Sequence, residues 1–333
     1  MEANIFPSVV ADIGGTNARF GIVDGSKDEH GRLDVAQQKT FRCAEYKSFE
    51  DVFSEYLSSL NGTAPKNACI AIAGPVAGSS MKMTNLDWTV CSKSLGQTFA
   101  LKNVKLINDF GALAYASMLL KDHEIEVIYS GVDNHEINTE ANRVVMGPGT
   151  GLGIAGLIRT GNCWHPVCGE GGHVSFAALD NHQAAIRSAL LSLSTDEPHL
   201  SLENLLSGQG LVNLYKANCM INGVDIEDKT PSEVSKEASN KTNDQSVQAV
   251  HDFTHILGAS LGDTALTLGA FGGVFLCGGI LPKIVDLIDK DVLVEAFVNK
   301  GVQRKLVEAI PIYLVSAPMP ALVGAAHWLN DSQ

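Results

Sequence analysis

The sequence predicts an α/β protein built as two related halves facing each other across a cleft, and three observations predict it. Residues 9–23 read VVADIGGTNARFGIV, two apolar strand-like runs joined by a turn of Gly14, Gly15, Thr16 and Asn17. Residues 144–158 read VVMGPGTGLGIAGLI and repeat the device; with a one-residue gap Thr16 answers to Thr150 and the flanking Val-Val pairs coincide. The rest of the chain alternates short continuous apolar runs with stretches of helical spacing, the pattern of sheets covered by helices.

Taken in order, residues 8–13, 18–24 and about 37–43 read as strands, the last two separated by the charged loop GSKDEHGRLD. Phe49, Val52, Phe53, Tyr56 and Leu57 have helical spacing within 47–60. Residues 68–73 (ACIAIA) form an apolar run suited to a doubly covered strand, ending at Gly74-Pro75. MKMTNLDW leads to a short helix, and residues 104–107 form a buried strand followed at once by Asn108-Asp109 and a helix to about 120. After the repeated hairpin come a strand at about 162–168, a helix at about 181–194 and another pair over about 202–219. Thr230-Pro231-Ser232-Glu233 is a capping box with Pro at the first helical position. A long helix over roughly 244–268 lines up Val247, Val250, Phe253, Leu257, Leu261 and Leu268, with Gly258 and Gly262 one turn apart for close helix packing. A strand at 274–277 and a helix near 319–330 finish the chain.

Composition narrows the function. With 333 residues, 45% of them hydrophobic, the chain is long enough for two cores. A formal charge of −13 argues against nucleic acid or an anionic membrane as partner, yet backbone dipoles and a metal can still hold a phosphate. Seven scattered cysteines suit a reducing cytosol, and MEANIFPSVV carries no basic n-region, so a cytoplasmic protein is expected. Residues 264–282 run without a charge, but their five glycines and closing Pro282 read as helix end, buried strand and turn, not as a membrane span.

Several residues carry chemistry. Gly-Gly can take positive φ and let N–H groups converge on an anion, and Asp12 faces the same turn, as it would if a divalent cation lay between carboxylate and phosphate. A plain glycine hairpin is the alternative. Neither turn has the spacing of a Walker loop or of GxGxxG. Asp109, between strand and helix, reads by itself as an N-cap carboxylate, and Asn108 as a turn amide. Glu170 and His173 lie in GEGGH, where glycines let a loop wrap a small polyol whose hydroxyls need acceptors and donors. Glu203, in SLENLLSGQG, reads as a first-turn glutamate. Cys163, His165, Cys168 and His173 could be metal ligands, but their spacing fits no zinc pattern and strand parity sends the two cysteines to opposite faces.

DIGGTNARF, AIAGPV, LINDF, GPGTGLG, GEGGH, LSGQGL and FGGVFLCGG, in this order and over nearly the whole length, resemble the bacterial-type glucokinases. The cysteine cluster CxCGxxGCxE of the related ROK kinases is absent, and no helix-turn-helix pattern precedes the first strand, which disfavours a ROK repressor. The resemblance implies a two-domain actin/hexokinase-like (RNase H-like) ATPase fold with an interdomain cleft. It places a small domain at 1–110, completed by a C-terminal helix at about 318–333, and a large one at 111–317. It implies phosphorylation of glucose at the 6-hydroxyl by ATP and Mg2+, with no zinc, in a cytoplasmic homodimer that closes on its sugar. Asp109 would be the catalytic base, and Asn85, Asn108, Asp109, Glu170, His173 and Glu203 the sugar ligands. Asp12 with Gly14, Gly15, Thr16 and Asn17 would serve metal and outer phosphates, Gly149, Thr150 and Gly151 the phosphates from the other side, and Gly278 and Gly279 the adenosine. A kinase of another hydroxy-compound, or an actin-like ATPase that drives a partner, would use the same fold; the polar set from Asn108 to Glu203 favours a small polyol.

Overall fold

Two sheets of matching strand order organise the chain. In the computed structural model, which describes residues 5–62, 64–74, 78–83, 86–132, 138–193 and 199–332, the first elements are β1 (Ser8–Ile13), β2 (Asn17–Val23), β3 (Ala36–Arg42), α1 (Phe49–Ser58) and β4 (Asn67–Ile72). A small hairpin of β5 (Ser80–Lys82) and β6 (Thr89–Cys91) leads into α2 (Ser92–Thr98), β7 (Asn103–Asn108) and α3 (Asp109–Ala116). There follow β8 (Ile125–Tyr129), β9 (Arg143–Pro148), β10 (Leu152–Thr160), β11 (Cys163–Cys168), α4 (Asn181–Leu193), α5 (Gly208–Asn222), α6 (Pro231–Asn240) and α7 (Asp244–Leu268). The chain ends with β12 (Val274–Leu276), α8 (Leu281–Ile284), α9 (Lys290–Val298), α10 (Arg304–Val307), β13 (Ile312–Val315) and α11 (Pro320–Asp331).

The first sheet has the order β3-β2-β1-β4-β7, with β1, β2 and β3 antiparallel and β1, β4 and β7 parallel. The second has the order β11-β10-β9-β12-β13-β8, with β9, β12 and β13 parallel. Three consecutive strands, then two parallel strands reached by crossovers, thus occur twice; β8 is an added antiparallel edge. Contacts divide the chain into a unit of residues 1–124, 155–169 and 317–333 and a unit of residues 125–154 and 170–316.

The first core forms where α1 covers the sheet. Phe49, Val52, Phe53 and Tyr56 are fully buried, and the Tyr56 ring stacks on Phe20 of β2 with centroids 4.9 Å apart. Such aromatic pairs add about 0.5–1.5 kcal/mol beyond the area they bury. On the other face, α11 meets α3 so closely that a methyl group on Gly324 would lie 1.9 Å from the Ala112 carbonyl oxygen. In the second unit α7 is the central helix. A methyl on Gly258 would lie 2.2 Å from the Leu293 carbonyl oxygen of α9, and one on Gly262 2.3 Å from that of Phe297, so the two glycines set the close α7–α9 approach. Val250, Phe253, Leu257 and Leu261 are buried as their spacing predicts, whereas Val247 is 38% exposed beside the buried Ser246 and Ala249. Thr230 and Glu233 form the reciprocal capping box of α6. The predicted pair over 202–219 is one helix, α5, preceded by an irregular stretch. No described helix is long and apolar enough to cross a membrane.

Candidate functional site

The carboxyl ends of the parallel strands bring the first group of residues together. Ile13 of β1, Ile72 of β4 and Asn108 of β7 lie side by side in the register, so the glycine turn after β1, Gly74 after β4 and Asn108-Asp109 after β7 share one sheet edge. Open α/β sheets bind ligands at such an edge. Asn108 Nδ2 donates to the Gly74 carbonyl at 3.0 Å, which ties two of these loops together.

The helix start corrects one reading. Asn108, not Asp109, is the N-cap of α3: its Oδ1 accepts the Gly111 N–H at 3.1 Å. Asp109 is the first helical residue, and its Oδ1 accepts the Phe110 N–H at 2.9 Å. A carboxylate at that position also benefits from the positive end of the helix dipole. Cys168 of β11 lies below: its Sγ is 2.5 Å from where a Gly111 Cβ would be. Loss of hydration at the thiol, followed by the nearby Asp109 charge, pushes Cys168 up to about 11, so it is a neutral thiol at physiological pH. Among the described residues no group of three His, Cys, Asp or Glu side chains is placed to hold a metal ion.

Asp12 pairs directly with Arg19 across the β1–β2 hairpin, Oδ2 to Nη1 at 2.9 Å. Burial raises the Asp12 pKa, and the Arg19 charge and hydrogen bond partly offset that rise. Arg19 was legible in principle: with four residues, 14–17, between the paired Ile13 and Ala18, hairpin register puts residue 19 opposite residue 12. The Gly14 N–H donates to Asn17 O at 3.0 Å, and Cys43 N–H donates to Thr16 O at 2.9 Å. Contrary to expectation, neither Gly14 nor Gly15 adopts positive φ; the three-residue turn closes without it.

The second group forms the same way at the other sheet. The turn 149–151 follows β9, and Gly278-Gly279 follow its neighbour β12. Gly278 has φ +98°, and a methyl there would lie 2.4 Å from the Pro148 carbonyl oxygen, so only glycine fits against this turn. The Gly149 N–H donates to Gly151 O at 2.7 Å, and Gly208 at the start of α5 donates its N–H to Gly149 O at 3.0 Å. Gly208 belongs to the LSGQGL motif, which the packing brings to this turn.

Glu170, His173 and Glu203 come together in the second unit. The His173 N–H donates to Glu170 O at 2.9 Å, Glu203 N–H to Gly172 O at 2.9 Å, and His173 Nε2 stands 3.9 Å from Glu203 Oε1. Gly172 is required by contact, since its methyl would lie 2.2 Å from the Leu152 carbonyl oxygen. His199 Nε2 lies 2.9 Å from the His173 carbonyl and steadies the loop. Glu203 is no solvated first-turn glutamate, because α5 starts only at Gly208 and the Glu203 Oε2 accepts the Leu152 N–H at 2.7 Å. Asn85 lies outside the described residues. Glu170, His173 and Glu203 provide two carboxylates and an imidazole for hydroxyl groups.

Comparison with known proteins follows this geometry. The family profile described as Glucokinase matches residues 9–332. A glucokinase of Saccharophagus degradans is 37% identical over 327 residues, covering 98% of this chain and 99% of that protein. The crystal structure of a glucokinase from an Antarctic psychrotroph superposes with a TM-score of 0.87 at 35% identity, over 97% of this chain and 98% of that one. That of the Balamuthia mandrillaris glucokinase in complex with glucose shares the fold, with a TM-score of 0.77 at 20% identity over 97% and 92% of the two chains. By sequence and by fold, the chain belongs to the glucokinase family, the ATP-dependent kinases of glucose.

Proposed function

We propose that the chain phosphorylates glucose at its 6-hydroxyl with Asp109 as the general base. The observation that carries this reading is the position of Asp109, which follows Asn108 at the junction of β7 and α3, at the carboxyl end of the parallel strands beside the glycine turn and Gly74. In the reaction the 6-oxygen bonds to the γ-phosphorus of ATP as the bond to the β-phosphate oxygen breaks, and ADP leaves. Asp109 orients the hydroxyl and takes its proton late, as a loose transition state requires. Asn108, Glu170, His173 and Glu203 hold the remaining hydroxyls, with Asn85 as a further contact. The turn Gly14, Gly15, Thr16 and Asn17 and the turn Gly149, Thr150 and Gly151 offer N–H groups to the phosphates, and Gly278 and Gly279 leave room for the adenosine.

A single carboxylate beside phosphates suits Mg2+, which keeps most of its waters. Asp12 is that carboxylate, with Arg19 to limit its excess charge, and Mg2+ held there would neutralise the phosphate oxygens. From the family resemblance we also take a cytoplasmic homodimer that feeds glycolysis and closes on its sugar.

The test is Asp109→Asn with a sugar panel read by ADP release. The amide keeps size and hydrogen bonding but cannot take a proton. Glucose affinity and thermal stability should survive while kcat falls about 10²–10⁴-fold. A variant that binds glucose and keeps more than about a tenth of kcat would place the base elsewhere. A panel in which mannose or an amino sugar outruns glucose would reassign the substrate.

A further inference from the structure

One carboxylate in the second unit serves two neighbours. Glu203 Oε2 accepts the Leu152 N–H at 2.7 Å, while Oε1 faces His173. Its backbone N–H is bonded to Gly172 O, so Glu203 is anchored on the GEGGH loop and reaches across to the residue at which the chain leaves the 149–151 turn. Gly151 is the gap that admits it, since a methyl there would lie 2.4 Å from Oε2. A Gly-Thr-Gly turn has a large conformational entropy to lose, so its order depends on the bonds around it. Among the described residues three bonds hold it: Gly149 N–H to Gly151 O, Gly208 N–H to Gly149 O, and Leu152 N–H to Glu203. Of these, the third ends on a side chain.

We propose that Glu203 couples the two substrate sites, bracing the nucleotide turn through Leu152 N–H with one carboxylate oxygen while the other takes a sugar hydroxyl. The inference rests on the reading above for both sites. A hydroxyl on Oε1 restricts the rotation of the carboxylate and so strengthens its hold on Leu152. Sugar therefore tightens nucleotide binding, and the nucleotide tightens sugar binding by the same factor. Glu203 is in this respect a positioning residue for the phosphates, which it does not touch.

The deciding measurement is calorimetric affinity of the full chain for a non-hydrolysable ATP analogue with Mg2+ and no sugar present. A residue that only binds sugar cannot move this number. Glu203→Ala should weaken it about 10- to 150-fold, the range expected for one charge-assisted hydrogen bond. Glu203→Gln keeps a neutral acceptor for Leu152 and should fall between Ala and wild type, while Glu170→Ala, which leaves the turn alone, should stay within about twofold of wild type. Should Glu203→Ala not fold, Glu203→Asp, too short to reach Leu152 from the same backbone, carries the same expectation. An unchanged affinity in Glu203→Ala, an equal fall in Glu170→Ala, or a Gln variant no better than Ala overturns the coupling. If glucose affinity collapses in both Glu170→Ala and Glu203→Ala while the sugar-free nucleotide affinity holds, the sugar assignment stands and the coupling falls. If glucose affinity survives in both, the sugar assignment is overturned and the coupling with it.

Discussion

The two glycine turns began as near copies in sequence and end in different surroundings. Each joins adjacent strands by three residues, 14–16 between β1 and β2 and 149–151 between β9 and β10. Each is closed by a backbone bond across its own mouth. The first is held from behind by Cys43 N–H on Thr16 O, and its nearest acid, Asp12, is neutralised by Arg19 on the same hairpin. A methyl on Gly14 would find its nearest neighbour at 3.8 Å. The second is pressed by Glu203 at Gly151 and bonded by α5 at Gly149, both distant in sequence. The first turn is thus a local device whose electrostatics come from its own hairpin. The second is a tertiary device, and its glycine is there for a partner's carboxylate more than for its own dihedral angles.

Substituting the same residue type at corresponding places should expose that difference. The largest effect is expected for Gly151→Ala. The group it meets is the tip of a flexible side chain, so the carboxylate should swing aside and leave Leu152 N–H unpaired, with a moderate loss of thermal stability. Losing a charge-assisted bond worth about 1.5–3 kcal/mol corresponds to roughly a 10- to 150-fold fall in kcat/KM for glucose. Steady-state kinetics beside a thermal melt checks this, and a melt that drops while kinetics hold would show that the backbone yields instead.

Arg19→Met comes next. It keeps the aliphatic stem but leaves the Asp12 carboxylate, only 15% exposed, without its cation, so the Asp12 pKa should rise further. Because Arg19 itself is about a third exposed, we expect a loss of only about 1 kcal/mol, read as a lower urea midpoint. The sign with pH follows: the stability added by a raised acid pKa is present at low pH and disappears as pH rises through the folded pKa. Arg19→Met should therefore be closest to wild type in acid and fall behind it towards neutral pH. An equal deficit at all pH values would mean the arginine matters for packing alone.

Gly14→Ala should do least. With ordinary contact distances and no positive φ at that position, its stability should shift by no more than about 0.5 kcal/mol. A fall as large as that of Gly151→Ala would end the contrast between the turns.

Much was legible in the residues themselves, because it rests on local rules. Periodicity placed β1, β4, β7, α1 and α7, since each buries a face whose spacing is its own. The capping box of α6 and the glycine pair in α7 announced their roles by residue type and offset. The two hairpins were visible because a three-residue turn and its flanking strands are contiguous. Seven motifs in order carried the family, and with it the site residues still to be tested. Less legible were β8, β13 and the short helices between residues 281 and 307. Such brief apolar segments satisfy strand and helix patterns alike, and a strand is defined by a partner far away in sequence.

What only the tertiary structure decided concerns partners. Asp109 and Asn108 are both good caps, and sequence could not choose between them; the backbone path out of β7 gave the cap to Asn108. Glu203 looked like an exposed helix-start glutamate until its carboxylate was found on Leu152 N–H, fifty-one residues away. Propensity and periodicity act over a few residues, so they determine which elements form and which faces are buried. A hydrogen bond between side chain and distant backbone depends on how those elements pack, and no local pattern encodes it.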